Sequence, residues 1–223
     1  MSENQCWLSL MVWLALLAWR FALWRRAAAL LSFVVAMLLW RFQINEPEWR
    51  ADMLDVGHGL AVVISRNNQA LLYDTGGRWP GGNAGESIIE PWLRWHGLSL
   101  QQIILSHGHL DHSGGLPGLL ERWPDVPVRS ALGERGHLPC YRGTQWRWQK
   151  LNFTVLWPPE GNSGRDNNHS CVIQVSDGHR QLLLSGDLEA AKEYALITQN
   201  RAQLSSTVLQ VGHHGSRTSS SFP

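Results

Sequence analysis

The run Ser-His-Gly-His-Leu-Asp-His-Ser-Gly-Gly at positions 106–115 concentrates the reactive side chains of this 223-residue chain. His107, His109, Asp111 and His112 fall close together, directly behind the apolar Ile103-Ile104-Leu105. Neutral imidazole and carboxylate are good ligands for a hydrolytic divalent cation. A strand ending in a tight loop turns four such side chains towards one point. A His-rich surface loop without ligands is the plain alternative, and chance seldom supplies this spacing.

The pattern of the chain supplies such a strand. Residues 49–56, 60–65 and 70–73 read as strands, the second and third joined by the turn Arg66-Asn67-Asn68-Gln69. A helix is expected over 87–96, interrupted by Pro91, and a strand over 100–105 delivers the histidine loop. A short helix over 116–122 follows. Residues 124–132 read as a strand, and 146–156 alternate and should pair with it. Further strands are expected at 171–175, 181–184 and 206–211, with a helix over 188–198. Strands that end in polar loops, with helices between them, predict an α/β fold of two packed sheets with helices outside.

His-x-His-x-Asp-His behind a hydrophobic strand resembles the signature of the metallo-β-lactamase fold, an αββα sandwich. The resemblance implies two divalent metal ions, His107 and His109 on the first, Asp111 and His112 on the second. It also implies a bridging carboxylate and a further histidine from later strands. Asp187, in Ser-Gly-Asp-Leu-Glu, matches the bridge, with helix capping as its ordinary alternative. Asp74, in Asp-Thr-Gly-Gly, matches the residue that orients the metal loop from behind; turn capping is its alternative. His213 and His214 follow the last strand. Neighbours in an extended segment face opposite ways, so one should complete the second metal. The other is then free to contact a phosphate or protonate a leaving group, and the sequence leaves the choice open. For the first metal the third ligand is expected from His169, with His137 or water as alternatives; His58 and His179 read as structural or solvent-facing.

A finer resemblance rests on five blocks in order: Asp-Val-Gly-His-Gly (55–59), Asp-Thr-Gly-Gly (74–77), Asn-Asn-His-Ser (167–170), Ser-Gly-Asp-Leu-Glu (185–189) and His-His-Gly-Ser-Arg-Thr-Ser-Ser-Ser (213–221). With an upstream hydrophobic helix, they look like the carboxy-terminal region of ComEC-type DNA internalisation proteins, from about Ala27 onward. Members usually carry Gln at the place of His58, and vary at that of His169, which weighs against both as functional residues. The resemblance implies a membrane channel that passes one DNA strand inward, beside other uptake machinery. It also implies a domain that hydrolyses phosphodiesters of the strand left outside. Zinc or manganese would hold the attacking hydroxide, with Asp111, His213 and His214 serving catalysis. Another hydrolase of the same fold, acting on a phosphodiester, thioester or lactam, is the alternative, and an inactive truncated remnant a third. Ser216 and Ser219 to Ser221 are candidates for phosphate contacts or a flexible tail. Single-strand binding would use aromatic faces and a basic groove. Trp79, Trp146 and Trp148, with Arg78, Arg142 and Arg147, are candidates, although core or surface packing is the ordinary use of each.

The net charge of +1 gives no strong general pull towards nucleic acid. Thirteen Trp against three Tyr and five Phe is unusual, and part of the excess lies before residue 50. Cys6, Cys140 and Cys171 suggest neither a disulfide framework nor a Cys-metal motif, so the redox compartment stays open. Residues 6–19 and 27–40 are uncharged and almost wholly apolar, separated by Arg20, Arg25 and Arg26. Each is short of the ~20 residues that span a bilayer core, but snorkelling Arg and flanking aromatics bring the second near the limit. One or two transmembrane helices are therefore expected in residues 1–45, with the hydrolase domain at 46–223. Arg20, Arg25 and Arg26 before the second run, against Arg41 and Arg50 after it, favour a cytoplasmic start and a periplasmic domain. Such a chain resembles part of a longer multi-pass protein of the inner membrane.

Overall fold

Val62, Val63 and Ile64 are all buried, as are Leu71, Leu72 and Tyr73, and Leu182, Leu183 and Leu184. Strand side chains alternate between faces, so continuous burial demands cover on both sides of a sheet. The computed structural model describes residues 3–44 and 49–220, and it provides that cover by packing two sheets together under helices. The strands are β1 (Arg50–Met53), β2 (Val62–Arg66), β3 (Gln69–Tyr73), β4 (Arg78–Trp79), β5 (Gly82–Asn83), β6 (Ser99–Ile104) and β7 (Val128–Ser130). They continue as β8 (Leu138–Pro139), β9 (Gln145–Trp148), β10 (Leu151–Trp157), β11 (Val172–Ser176), β12 (Gln181–Leu184) and β13 (Val208–Leu209). A six-stranded sheet has the order β1-β2-β3-β6-β7-β8, a five-stranded one β13-β12-β11-β10-β9, and β4-β5 is a separate hairpin.

Val62, Ile64, Leu71, Tyr73 and Ile104 of the first sheet meet Phe153, Val155, Ile173, Val175, Leu182 and Leu184 of the second. The intervening Val63, Leu72 and Ile103 face the opposite way, onto Ile89, Leu93 and Leu119. Those three belong to a wide helical turn (Gly85–Ile89), α2 (Glu90–Trp95) and α4 (Leu116–Arg122). On the second sheet, Val172 and Leu183 pack with Leu188 and with Leu196 of α5 (Ala190–Asn200). Each such burial contributes roughly 1.5–3 kcal/mol relative to exposure. Pro91 sits in the first turn of α2, where its missing N–H costs nothing. The helix expected over 87–96 is therefore split into a wide turn and a short helix.

Three further expectations change. Residues 146–156 do not pair with 124–132. They form the hairpin β9-β10, which belongs to the second sheet with β11, while β7 lies between β6 and β8 in the first. Cys140 and Cys171, 31 positions apart, form a disulfide in the inter-sheet core, with Cα atoms 5.8 Å apart. The two apolar amino-terminal runs are one continuous helix, α1 (Glu3–Ile44). Arg is a good helix former, and no Gly or Pro separates the runs, so nothing ends the helix at Arg20, Arg25 or Arg26. Its stretch Trp7–Leu38 has a mean hydropathy of 1.6 and exposed side chains, and it is long and apolar enough to cross a membrane. The chain divides into the units Met1–Glu48 and Trp49–Pro223. The boundary expected at 45/46, and Ser221, lie outside the described residues.

Candidate metal centre

β3 and β6 are parallel neighbours with Tyr73 opposite Ile104, so both release their following loops at the same edge. Asp74 leaves β3 in a left-handed conformation (φ 60°), unusual for a residue other than Gly and worth a physical reason. Its amide donates to the Ile104 carbonyl at 2.8 Å, and its carboxylate is fully buried. One oxygen accepts the Ser106 amide at 2.6 Å; the other accepts the Ser106 hydroxyl and His112 Nδ1–H, each at 2.7 Å. These bonds hold the backbone in its uncommon state. Burial pushes the Asp74 pKa up, with His112 and Ser106 pulling it part of the way back. Thr75 secures the same residue by its main chain, its amide and hydroxyl donating to the His112 carbonyl at 2.7 and 2.9 Å. The short helix α3 (Leu110–Ser113) thereby presents Asp111 and His112 together.

The second sheet supplies the opposing groups. β12 ends at Ser185-Gly186-Asp187, and the buried Gln210 clamps that turn. Its Oε1 accepts the amides of Ser185 and Gly186 at 2.9 and 3.0 Å. Gly186 has φ 56°, and a Cβ there would lie 2.7 Å from that of Ser106. Only glycine allows the Asp187 turn to close on the histidine loop. After β13, His213 and His214 both adopt left-handed φ values, 47° and 53°. The segment is a tight turn, so the extended alternation assumed from sequence does not apply there.

Asp111, His112, Asp187 and His214 converge, with one ligand atom from each lying within 4.8 Å of the others. His112 Nε2 is 3.1 Å from Asp187 Oδ2 and 3.3 Å from His214 Nε2. His214 Nε2 is 3.4 Å from both Asp111 Oδ2 and Asp187 Oδ2. Burial disfavours a charged His112, yet Asp74 and Asp187 on its two nitrogens outweigh this and push its pKa up to about 10. Burial, then the neighbouring His112, hold His107 down to about 3. Asp187 is also disfavoured as an anion by burial, but His112, His107 and His214 bring its pKa below the usual carboxylate value.

The donor set fits a divalent cation. Among the described residues, His107 Nε2 and Asp187 Oδ1 are buried without a hydrogen-bond partner, a costly condition that a cation would relieve. His112 gives Nδ1–H to Asp74, so a cation that displaced the Nε2 proton would find that nitrogen oriented as its ligand, the usual support for a metal-bound histidine.

The other sequence candidates are distributed around this group. His107 and His109 make an edge-on ring contact with centroids 4.6 Å apart, and His107 lies 4.3 Å from His112 by the same measure. His169 bonds Asp166 Oδ1 at 2.7 Å and Asn162 Oδ1 at 3.3 Å. His137 bonds Ser130 at 2.8 Å. His213 contacts Thr218 Oγ1 at 2.6 Å and Asn167 Nδ2 at 3.4 Å, outside the four-residue group. Ser219 is buried and donates to the Gly212 carbonyl at 2.7 Å, while Ser216 bonds Thr218. His58 approaches Asp111 Oδ2 at 3.4 Å. Trp146 stacks on Phe153 beneath Arg129, and Trp148 packs on the same core. Sequence reading missed Ser106 and Gln210. Ser106 stands beside the first histidine, and Gln210 is a lone polar residue in the last apolar strand, which are the signals available.

Paired sheets that bring a histidine loop, a strand-end aspartate and a late histidine to one edge define a class of hydrolases. The chain belongs to the metallo-beta-lactamase superfamily, whose profile matches residues 54–221. Within that class it is 48% identical to Uncharacterized protein YcaI of Escherichia coli over 97% of this chain and 29% of that protein. It is 44% identical to Recombination protein 2 of Haemophilus influenzae, over 80% of this chain and 23% of that one. Competence protein ComA of Neisseria gonorrhoeae is 35% identical over 80% of this chain and 25% of its own length. These relatives bear out the ComEC-type resemblance read from the motifs, and the chain spans about a quarter of their length. Among solved structures, MEM-A1, a subclass B3 metallo-beta-lactamase from a soil metagenome library, superposes with a TM-score of 0.51 at 18% identity. The match covers 75% of this chain and 76% of that one, and it concerns the fold alone.

Proposed function

We propose that the domain hydrolyses phosphodiesters of the DNA strand that is not imported, within a membrane protein of DNA uptake. The convergence of Asp111, His112, Asp187 and His214 carries this reading, together with relatives named for recombination and competence. Two ions, zinc or manganese, would be held by His107, His109, Asp111, His112 and His214, with the Asp187 carboxylate shared between them. Bound there, such ions would activate water and polarise phosphoryl oxygens. Asp74 fixes the His112 tautomer, and Gln210 holds the turn from which Asp187 would serve both ions. His213, outside the group of four and in contact with Thr218, would steady a phosphate or protonate the departing oxygen.

The same reading places α1 in a bilayer as part of a multi-pass inner-membrane protein, with the domain on the periplasmic face. The Cys140–Cys171 disulfide supports the exported side, because such bonds persist in oxidising compartments. The test is a substrate panel on the full chain in detergent, with zinc or manganese added. Single-stranded DNA, an acyl thioester and a β-lactam are compared. Metal-dependent DNA cleavage is expected; turnover of the thioester or lactam alone would replace the reading with another hydrolase of the superfamily.

A further inference from the structure

Next to Asp111 opens a hollow of about 600 Å³, walled by Gly57, His58, Arg78, Trp79, Leu110 and Asp111. That size suits a small ligand, whose sites run to roughly 300–1,000 Å³. The outer wall is the hairpin β4-β5, closed by Pro80 and Gly81, the latter at φ 86°. Pro followed by a positive-φ Gly is the sequence of a stiff type II turn. Trp79 is 46% exposed. Its cross-strand partner is Gly82, where an added Cβ would lie 2.9 Å from the indole nitrogen and 3.3 Å from Cε2. The ring therefore rests directly on bare backbone while much of its surface stays open. Arg78 is exposed, and its guanidinium makes no hydrogen bond or ion pair among the described residues. His58, 82% exposed at its side chain, joins this wall to the donor cluster. Its Nε2 is 3.4 Å from Asp111 Oδ2, and its ring centroid 4.9 Å from that of His214.

An open aromatic face seated on Gly82, an unpaired guanidinium and a direct path to the metal ligands form one continuous surface. Single-stranded nucleic acid is held by this combination, bases stacking on aromatic rings while cations follow the backbone. We propose that the hollow is a nucleotide subsite flanking the scissile bond. One base stacks on Trp79, Arg78 meets the adjoining phosphate, and His58 lines the passage to Asp111. The assignment rests on the phosphodiesterase reading and adds where the strand is gripped. Trp146 and Trp148, committed to the core, take no part.

The test separates grip from cleavage. Fluorescently labelled single-stranded oligonucleotides, one normal and one abasic with the same phosphates, are titrated onto the full chain in detergent with EDTA present. Wild type is expected to bind the normal strand about ten-fold more tightly than the abasic one, as one lost stack would imply. Trp79→Ala should remove that preference, Trp79→Phe should keep most of it, and Arg78→Ala should weaken both ligands alike. Gly82→Ala, which pushes the indole from its seat, should mimic Trp79→Ala. An unchanged preference in Trp79→Ala, or no preference in wild type, overturns the subsite. Intact preference in a protein that cleaves no DNA when metal is supplied sinks the hydrolytic reading and leaves the seat as a binding site.

Discussion

Asp74 and His112, 38 positions apart and both fully buried, are joined at 2.7 Å between Oδ2 and Nδ1. The same carboxylate ties down Ser106, so one residue at the end of β3 sets both the path and the tautomer of the histidine loop. Asp74→Asn keeps the size of the side chain but removes the charge and half of the acceptors. Zinc affinity is expected to fall about 10- to 100-fold, the usual effect of losing such an orienting partner. Calorimetric titration measures it, and wild-type affinity in the variant would refute the role.

Gln210 holds the Ser185 and Gly186 amides from within the second sheet. Gln210→Leu leaves these buried donors unpaired, which costs about 1–3 kcal/mol per group. Urea unfolding should show a lower midpoint with an unchanged slope. Metal binding should weaken too, since Asp187 follows the loosened turn directly.

His107 and His169 are expected to behave differently. His107 has a buried nitrogen without a partner among the described residues, whereas both nitrogens of His169 are engaged by Asp166 and Asn162. His107→Ala should lower the amount of bound metal measured by plasma mass spectrometry. His169→Ala should leave it unchanged and cost only local stability, about 1 kcal/mol for a lost hydrogen bond. Equal metal loss in both variants would return His169 to the ligand set.

The disulfide gives a test that needs no substrate. Peptide mapping of the unreduced protein should recover Cys140 linked to Cys171, and reduction should separate them. Replacing both by Ala should cost about 2–4 kcal/mol, the typical contribution of a closed loop. Free thiols in protein isolated from the envelope would argue against an exported domain.

What was legible in the sequence is what is locally encoded. Apolar runs bounded by turn residues revealed most strands, and the spacing of His107 to His112 marked the loop. The pairing partner of 146–156 was hidden because Gln149 and Lys150 make the hairpin turn with φ 48° and 65°. Neither is the Gly or Asn that usually announces such a turn. Residues far apart in sequence set the disulfide and the clamp by Gln210, so spacing gave no sign of either. The choice between His213 and His214 depended on two consecutive left-handed residues, which no propensity favours. At the amino end, the arginines looked like a break between two helices, although their intrinsic preference continues one.

The central claim is that Asp187 joins the metal-holding groups to strand hydrolysis. It is tested most directly by comparing single-stranded DNA cleavage by the full chain and by Asp187→Ala, each with saturating manganese and then with zinc. The account predicts cleavage that requires the metal and falls at least about 1,000-fold in the variant, on the order of 4 kcal/mol of barrier. Metal-dependent cleavage at the wild-type rate in Asp187→Ala would contradict it.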